Sequence, residues 1–281
     1  MLLFKTTKGA LLKNGEKIVL LNEDWNTIVN RSELFTYLSG KAESLPSITA
    51  NEFNERIKYD ILPPIDTQEV WAAGVTYLKS RDARMEESKD SGGADCYHKV
   101  YDAERPELFF KSLAHRVAGP GQQVYIRKDS NWNVPEPELT LFMNSKGEIQ
   151  AYTIGNDMSS RSIEGENPLY LPQAKVYERS AALGPCLYVP SKPISPETNI
   201  RMFIFRDEKK MFEGSTPISR IKRSLPELAG YLYRALDFPD GSFLMTGTCL
   251  VPSNDFTLAA DDRVEISIDN IGTLINIVAL K

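Results

Sequence analysis

Across residues 1–22 apolar and polar positions interchange in short runs, Leu2-Phe4, Gly9-Leu12 and Ile18-Leu21, broken at Lys8-Gly9 and Asn14-Gly15. Short glycine-containing breaks favour tight hairpins, so this stretch predicts a small antiparallel sheet. Arg31 to Leu38 carries a helical pattern that Gly40 is expected to end, and Asn51 to Lys58 is a second helix candidate. At Leu62-Pro63-Pro64-Ile65 the residue before each proline is driven out of the helical region, which reads as a linker. A boundary there gives a small N-terminal α/β domain, 1–64, and a larger domain, 65–281.

Beyond the boundary the texture is mainly β. Strand candidates are Val70 to Val75, Leu108 to Lys111, Gln123 to Ile126, Gly184 to Val189, Met202 to Phe205, Phe243 to Thr246 and Arg263 to Ile268. One helix stands out at Leu225 to Leu236, where Leu228, Leu232 and Leu236 fall on one face. The polar stretch from Ser80 to Lys99, with Ser91-Gly92-Gly93 near its middle, reads either as a lid over a site or as a solvated loop. The expected class is mixed α+β, mainly β.

The chemistry concentrates in Pro135-Glu136-Pro137-Glu138 and a following hairpin. Leu139 to Asn144 reads as a strand, Ser145-Lys146-Gly147 as a turn, and Ile149 to Gly155 as the partner strand leading to Asn156-Asp157. Glu136 and Glu138 are two residues apart, so in extended chain they face the same way, roughly 7 Å apart. The two prolines remove backbone donors, as at a sheet edge or a strand start. If Met143 pairs with Glu148, Val134 falls opposite Asp157 and all three carboxylates share a face. A slip of one residue would turn Asp157 away. Three clustered acids repel one another and call for a hard divalent cation: Mg²⁺ first, with Mn²⁺ or Ca²⁺ as further candidates, ahead of Zn²⁺. The alternative is ordinary solvated acids on an edge strand.

Composition narrows the function classes. The 42% hydrophobic and 25% charged content is that of an ordinary globular protein. A net charge of -5, with no basic run or stacking platform, argues against nucleic acid or an anionic membrane as partner. No stretch approaches a membrane span, and Met1-Leu2-Leu3-Phe4 before Lys5 is too short for a signal segment. Cys96, Cys186 and Cys249 are odd in number and hold no C-x-x-C pair, which points to free thiols in a reducing cytoplasm. With only His98 and His115, a histidine-rich metal site or a histidine-centred triad is not expected.

Pro135-Glu136-Pro137-Glu138-Leu139 followed by Tyr152-Thr153-Ile154-Gly155-Asn156-Asp157-Met158-Ser159-Ser160-Arg161 resembles the metal-binding signature of the fumarylacetoacetate hydrolase superfamily. Phe109-Phe110-Lys111, Lys175, Leu183-Gly184-Pro185, Thr246-Gly247-Thr248 and Asn270-Ile271-Gly272-Thr273-Leu274 add to the likeness, which spans about residues 66–281. Val70-Trp71, the run Tyr97 to Asp102, Arg105-Pro106-Glu107 and the run Glu164 to Gln173 look like its branch of 2-keto-3-deoxy-D-arabinonate dehydratases. The resemblance implies a fumarylacetoacetate hydrolase-like mixed β-roll for the catalytic domain and a homo-oligomer, dimer or tetramer. It also implies Mg²⁺ on Glu136, Glu138 and Asp157 and a small 2-keto acid substrate. Carbon–carbon hydrolases of the superfamily carry an Asn-Tyr-x-x-His-x-x-Glu segment whose His and Glu activate water. Here the run is Thr76 to Ala83, with Ser80 and Ala83 at those two positions, and neither is a general base near neutral pH.

Elimination of water from a 2-keto-3-deoxy sugar acid therefore fits better than hydrolysis, with 2,5-dioxopentanoate as product. Rival readings are a hydrolase of an acylpyruvate or a 2,4-diketo sugar acid, a tautomerase or decarboxylase on the same ion, and a non-catalytic binding member. For proton transfers the candidates are Lys175, Glu107 and Lys111, with Lys175 as base at C3 and Glu107 as acid at C4. Thr248 and the backbone near Gly74 and Val75 are candidates to grip the substrate carboxylate. Each has a plainer reading: Lys175 a surface lysine, Glu107 paired with Arg105 or Arg116, Thr248 a turn cap. Arg161 is expected to orient the metal carboxylates. His115 reads as structural and His98 as a surface residue.

Overall fold

The computed structural model describes residues 1–78, Met85 and 94–281. Among them, the largest sheet has ten strands. It opens with the expected meander, Leu2–Thr6, Gly9–Asn14 and Lys17–Leu21. Leu2–Thr6 pairs antiparallel with Ala181–Tyr188, so the first residues extend the main sheet. The order continues through Ile149–Asp157, Pro137–Met143, Ser242–Met245, Glu69–Gly74 and Glu107–Leu113, while Val117–Ala118 runs parallel to Ala181–Tyr188. A second sheet has five strands, Lys209–Pro217, Asn199–Arg206, Arg263–Ile268, Gly272–Leu280 and Gln123–Ile126 in that order.

The pleat divides the long sheet between two cores. Leu139, Leu141 and Ile154 join Met202, Ile204, Ile266 and Leu274 of the second sheet in one apolar cluster. Phe142, Leu183 and Phe243 point the other way and join Ile28, Leu34 and Leu38 of helices Trp25–Val29 and Leu34–Ser44. Each such buried side chain contributes about 1.5–3 kcal/mol of transfer free energy. The result is the mainly β mixed roll that the resemblance implies, with helices against both cores: Leu228 and Leu232 of helix Leu225–Leu232 join the first cluster.

Several elements differ from expectation for physical reasons. The helix expected over Arg31–Leu38 runs from Leu34 to Ser44, straight through Gly40. Leu34, Leu38 and Ala42 are buried at four-residue spacing, and that stripe outweighs the roughly 1 kcal/mol helix penalty of glycine. The start is delayed because Glu33 sits at φ 55°, outside the helical region. The helix expected to reach Leu236 stops at Leu232, capped at its start by Ser224, and Leu236 is solvent-exposed. Asn51–Lys58 is confirmed as Ala50–Asp60, with Thr49 as N-cap.

Lys209–Pro217 and Gly272–Leu280 were not anticipated as strands. The first is a charged, exposed edge strand, a composition that discourages edge-to-edge pairing and hides the alternation. The second buries Asn276 between Leu274 and Val278, and its side-chain amide donates to the carbonyls of Gly119 (3.1 Å) and Gln122 (3.0 Å). Within the stretch read as a lid or loop, 80–84 and 86–93 lie outside the described residues, and helix Ala94–Asp102 begins its far part. That helix ends against Lys222 and Arg223. Arg223 donates to the carbonyls of Ala103 (2.6 Å) and Glu104 (3.0 Å), and Lys222 Nζ to Tyr101 O (2.7 Å). Cations there oppose the negative end of the helix dipole. The Lys222 amide donates to Thr76 O at 3.0 Å.

Candidate metal centre and active site

The site forms where the parallel strands Glu69–Gly74 and Ser242–Met245 both end and where Pro137–Met143, the antiparallel neighbour of Ser242–Met245, begins. Pro137 is at the start of its strand, where a missing N–H is tolerated even in the interior of a sheet. The hairpin register differs from expectation in an instructive way. Met143 faces Ile149 rather than Glu148, one residue out. A bulge at Gln150 adds a second displacement, so Phe142 faces Ala151 and Glu138 faces Gly155. Val134 consequently faces Ser159, not Asp157, and the Asp157 amide donates to the Glu136 carbonyl at 2.9 Å. Two single-residue shifts restore the parity of a period-two element. Glu136, Glu138 and Asp157 therefore share a face, with one ligand oxygen from each lying within 4.8 Å of the others.

All three acids are buried, which removes the reading as solvated edge acids. Three cations are buried with them. Lys175 is at the C-terminal end of the short helix Leu171–Lys175, and its Nζ donates to Glu136 Oε2 and to Asp157 Oδ2 (3.0 Å). It is wholly enclosed, not a surface lysine. Lys111, on strand Glu107–Leu113, pairs with Asp157 Oδ1 at 2.5 Å and donates to the carbonyls of Met158 (2.9 Å) and Lys175 (2.5 Å). Burial lowers its pKa to about 8, against the raising effect of Asp157. Arg161 Nη2 donates to Glu136 Oε1 at 2.7 Å, the orienting contact expected of it.

The three carboxylates are not equivalent. Burial pushes Asp157 up, but Lys111 and Lys175 outweigh it and hold the carboxyl below its ordinary value. Glu138 has the opposite balance: burial, then the charges of Asp157 and Glu136, raise it well above the carboxylate range. Its Oε2 accepts the Gly247 N–H at 2.6 Å. Gly247 has φ +94°, and a Cβ there would lie 2.0 Å from Thr76 Oγ1, so only glycine can present that amide. Thr76 Oγ1 in turn donates to Thr246 O at 2.7 Å.

Glu107 faces Gly74 across the Glu69–Gly74 and Glu107–Leu113 pairing. A Cβ on Gly74 would lie 2.0 Å from Glu107 Oε2, so the carboxyl lies directly over the glycine. The next residue, Val75, is held at φ 52°, an unusual conformation for a β-branched side chain and one that clusters at functional sites. Thr248 is buried, and its Oγ1 accepts the Leu250 N–H at 3.2 Å. Gly74 and Val75 thus close strand Glu69–Gly74, Glu107 opens the strand paired with it, and Thr248 follows the end of Ser242–Met245. His98 is exposed on helix Ala94–Asp102, and His115 lies in the single turn Ala114–Arg116.

Some of the surroundings left no trace in the sequence pattern. Ser180 Oγ donates to Lys175 O (2.9 Å), and Ser159 Oγ donates to the buried Glu164 (3.0 Å). The Tyr177 ring lies 5.9 Å from Lys111 Nζ. Only spatial pairing reveals these contacts; Gly247, by contrast, was visible in Thr246-Gly247-Thr248, although its bond to Glu138 was not.

The donor set suits a hard ion. It offers only carboxylate oxygens, and octahedral Mg²⁺ at about 2.1 Å needs ligand oxygens about 3–4 Å apart. The raised Glu138 carboxyl marks a place where further positive charge is wanted. Among the described residues, no helix is long and apolar enough to cross a membrane.

Comparison with known proteins agrees with this geometry. A Haloferax volcanii protein named as a probable 2-keto-3-deoxyxylonate dehydratase is 49% identical over 214 residues, 76% of this chain and 73% of the relative. The 2-dehydro-3-deoxy-D-arabinonate dehydratase of Saccharolobus solfataricus is 38% identical over 278 residues, 94% of this chain and 93% of the relative. A solved structure of 2-keto-3-deoxy-D-arabinonate dehydratase complexed with magnesium and 2,5-dioxopentanoate superposes with a TM-score of 0.85 at 35% identity, covering 100% of this chain and 99% of that one. The family model for the fumarylacetoacetate (FAA) hydrolase C-terminal region matches residues 70–279, and the chain belongs to that family.

Proposed function

We propose that this protein dehydrates 2-keto-3-deoxy-D-arabinonate (2-dehydro-3-deoxy-D-pentonate) to 2,5-dioxopentanoate in pentose catabolism, with Mg²⁺ as cofactor. The observation that carries the reading is the buried face on which Glu136, Glu138 and Asp157 converge, with Lys175 hydrogen-bonded to two of them. Relatives named for this reaction, and a solved relative holding magnesium and 2,5-dioxopentanoate, support it.

Mg²⁺ held by Glu136, Glu138 and Asp157 would supply the positive charge that stabilises the oxyanion growing on the 2-keto oxygen as C3 loses its proton. Lys175 takes that proton, and the Glu136 and Asp157 carboxylates that accept its N–H groups hold its Nζ in place. Glu107 gives a proton to the departing C4 hydroxyl, so one water leaves and a C3–C4 double bond conjugated to the ketone remains. Loss of a C5 proton and reprotonation at C3 then yield the enol of the C5 aldehyde, which tautomerises to the product. Lys111, with three acceptors around its Nζ, acts as a strut that fixes Asp157 and the carbonyl of Lys175. The backbone of Gly74 and Val75 and the Thr248 side chain grip the substrate carboxylate.

Ser80 and Ala83 stand where hydrolases of the family carry their water-activating pair, which favours elimination over hydrolysis. The family match starting at residue 70 supports taking 65–281 as the catalytic domain and 1–64 as the small N-terminal one. We place the protein in the cytoplasm as a homo-oligomer, dimer or tetramer; Cys186 and Cys249, buried and in no disulfide, suit a reducing compartment. An NMR time course with 2-keto-3-deoxy-D-pentonate and Mg²⁺ tests the activity through the appearance of an aldehyde proton. Release of pyruvate from acylpyruvates, with the deoxy acid untouched, would transfer the assignment to a hydrolase.

A further inference from the structure

Arg223 is only 9% exposed, and its guanidinium makes more contacts than a helix end needs. Nη1 donates to Glu104 O (3.0 Å) and to Glu227 Oε1 (2.8 Å), and Nη2 to Ala103 O (2.6 Å) and Val100 O (3.3 Å). Ala103 and Glu104 lie beyond the last helical residue, Asp102, so the fork grips the connection that leaves the helix as well as the helix itself. That connection ends at Glu107, the first residue of strand Glu107–Leu113. Pro106 within it is buried, and its ring fixes φ, which leaves little slack between Glu104 and Glu107.

The support behind Arg223 is rigid. Its carboxylate partner, Glu227, lies in the first turn of helix Leu225–Leu232, where Ser224 Oγ accepts the Glu227 N–H at 3.2 Å, and Leu228, Ala229 and Leu232 of that helix are buried. The opposite strand is tied to the same place. Gly74 faces Glu107, and the chain leaving Gly74 passes through Val75 to Thr76, whose carbonyl accepts the Lys222 N–H at 3.0 Å. Residues 222 and 223 therefore hold both chain ends that leave the Gly74–Glu107 pair. A general acid misplaced by 1 Å costs on the order of 100-fold in rate. We propose that Arg223 is a positioning residue for the dehydration: it acts through Glu107, fixing the connection that delivers that carboxyl to its place over Gly74. The role rests on the dehydratase reading above, with Glu107 as the acid at C4.

Arg223→Lys keeps the charge and loses the planar fork of donors. With Mg²⁺ and 2-keto-3-deoxy-D-pentonate, kcat should fall about 30-fold or more while KM changes less than about threefold. The comparison substrate is 4-chloro-5-hydroxy-2-oxopentanoate, from which the base takes the C3 proton and chloride leaves with its bonding pair. That departure needs no acid, so the variant should act on it within about threefold of wild type. Equal losses on both substrates, or no loss on either, would overturn the assignment. Adding Arg223→Lys to Glu107→Gln should cost less than about threefold beyond Glu107→Gln alone, because both changes act on one group; losses that multiply would count against it. Titration of the metal-free protein with Mn²⁺ should give the same affinity in wild type and Arg223→Lys, and a weakened variant would make Arg223 a general support of the fold instead. Should Arg223→Lys fail to fold, Glu227→Gln, which removes only its carboxylate partner, should show the same split with at least about a fivefold loss on the hydroxy acid, and no split there would sink the role. Wild-type protein that turns over neither acid would sink the dehydratase reading and this role together. Turnover by wild type with an unselective Arg223→Lys sinks only this role.

Discussion

Glu138 is the residue whose chemistry departs furthest from its unfolded state. Its raised pKa means the metal-free folded protein keeps a proton that the unfolded chain, with an ordinary value of about 4.3, has released. Stability without metal must therefore fall as pH rises from the unfolded value toward the folded one, because the native state binds more protons over that range. Glu138→Gln should flatten this decline in thermal unfolding scanned against pH in EDTA. In return, the variant should lose about 100-fold or more in Mn²⁺ affinity; a variant that binds Mn²⁺ like wild type would remove Glu138 from the ligand set. Gly74 offers a second single-atom test, since an added Cβ would lie 2.0 Å from Glu107 Oε2. Gly74→Ala should displace that flexible carboxyl, lowering kcat on the order of 100-fold while the melting temperature barely moves. Normal turnover would mean that Glu107 is not the acid. At this scale the sequence displayed the carboxylates, Lys175 and Arg161 through their spacing and motif, whereas Gly74 beneath Glu107 and the amide of Gly247 on Glu138 depend on strands far apart in the chain.

Among the elements, the hairpin from Pro137 to Asp157 shows how a register can differ in detail and agree in outcome. Its two one-residue displacements, at Met143 and at the Gln150 bulge, together leave facing unchanged. Deleting Gln150 alone should therefore turn Asp157 to the opposite face and abolish Mn²⁺ binding, measured by titration alongside far-UV circular dichroism. Retained binding would show that the Ser145–Gly147 turn absorbs the deletion. Periodicity revealed strands such as Gln123–Ile126 and Arg263–Ile268 at their true bounds because their apolar residues alternate cleanly. It failed for Lys209–Pro217, where an exposed edge carries charge, and for Gly272–Leu280, where the buried Asn276 interrupts the alternation. Helix Leu34–Ser44 outran its predicted end because burial of its stripe overrode a local glycine signal.

For the molecule as a whole, the buried acids make folding and metal binding one equilibrium. A ligand that binds only the native state at 100 times its Kd adds about 2.7 kcal/mol, which for a chain of this size corresponds to a melting shift of about 5 °C. Scanning calorimetry in excess Mg²⁺ against EDTA should show a rise of that order, and identical melting curves would contradict a metal seat on these acids. The same wholeness is visible at Lys222 and Arg223. One backbone amide of this pair holds the Thr76 carbonyl, next to Tyr77, while the two side chains close the last turn of helix Ala94–Asp102. A dipeptide is too short to flex between its own neighbours, so it works as a rivet joining the turn after Val75 to the end of that helix. Neither part can shift without dragging the other, and wear at this joint would be felt in the chemistry before it was seen in the fold.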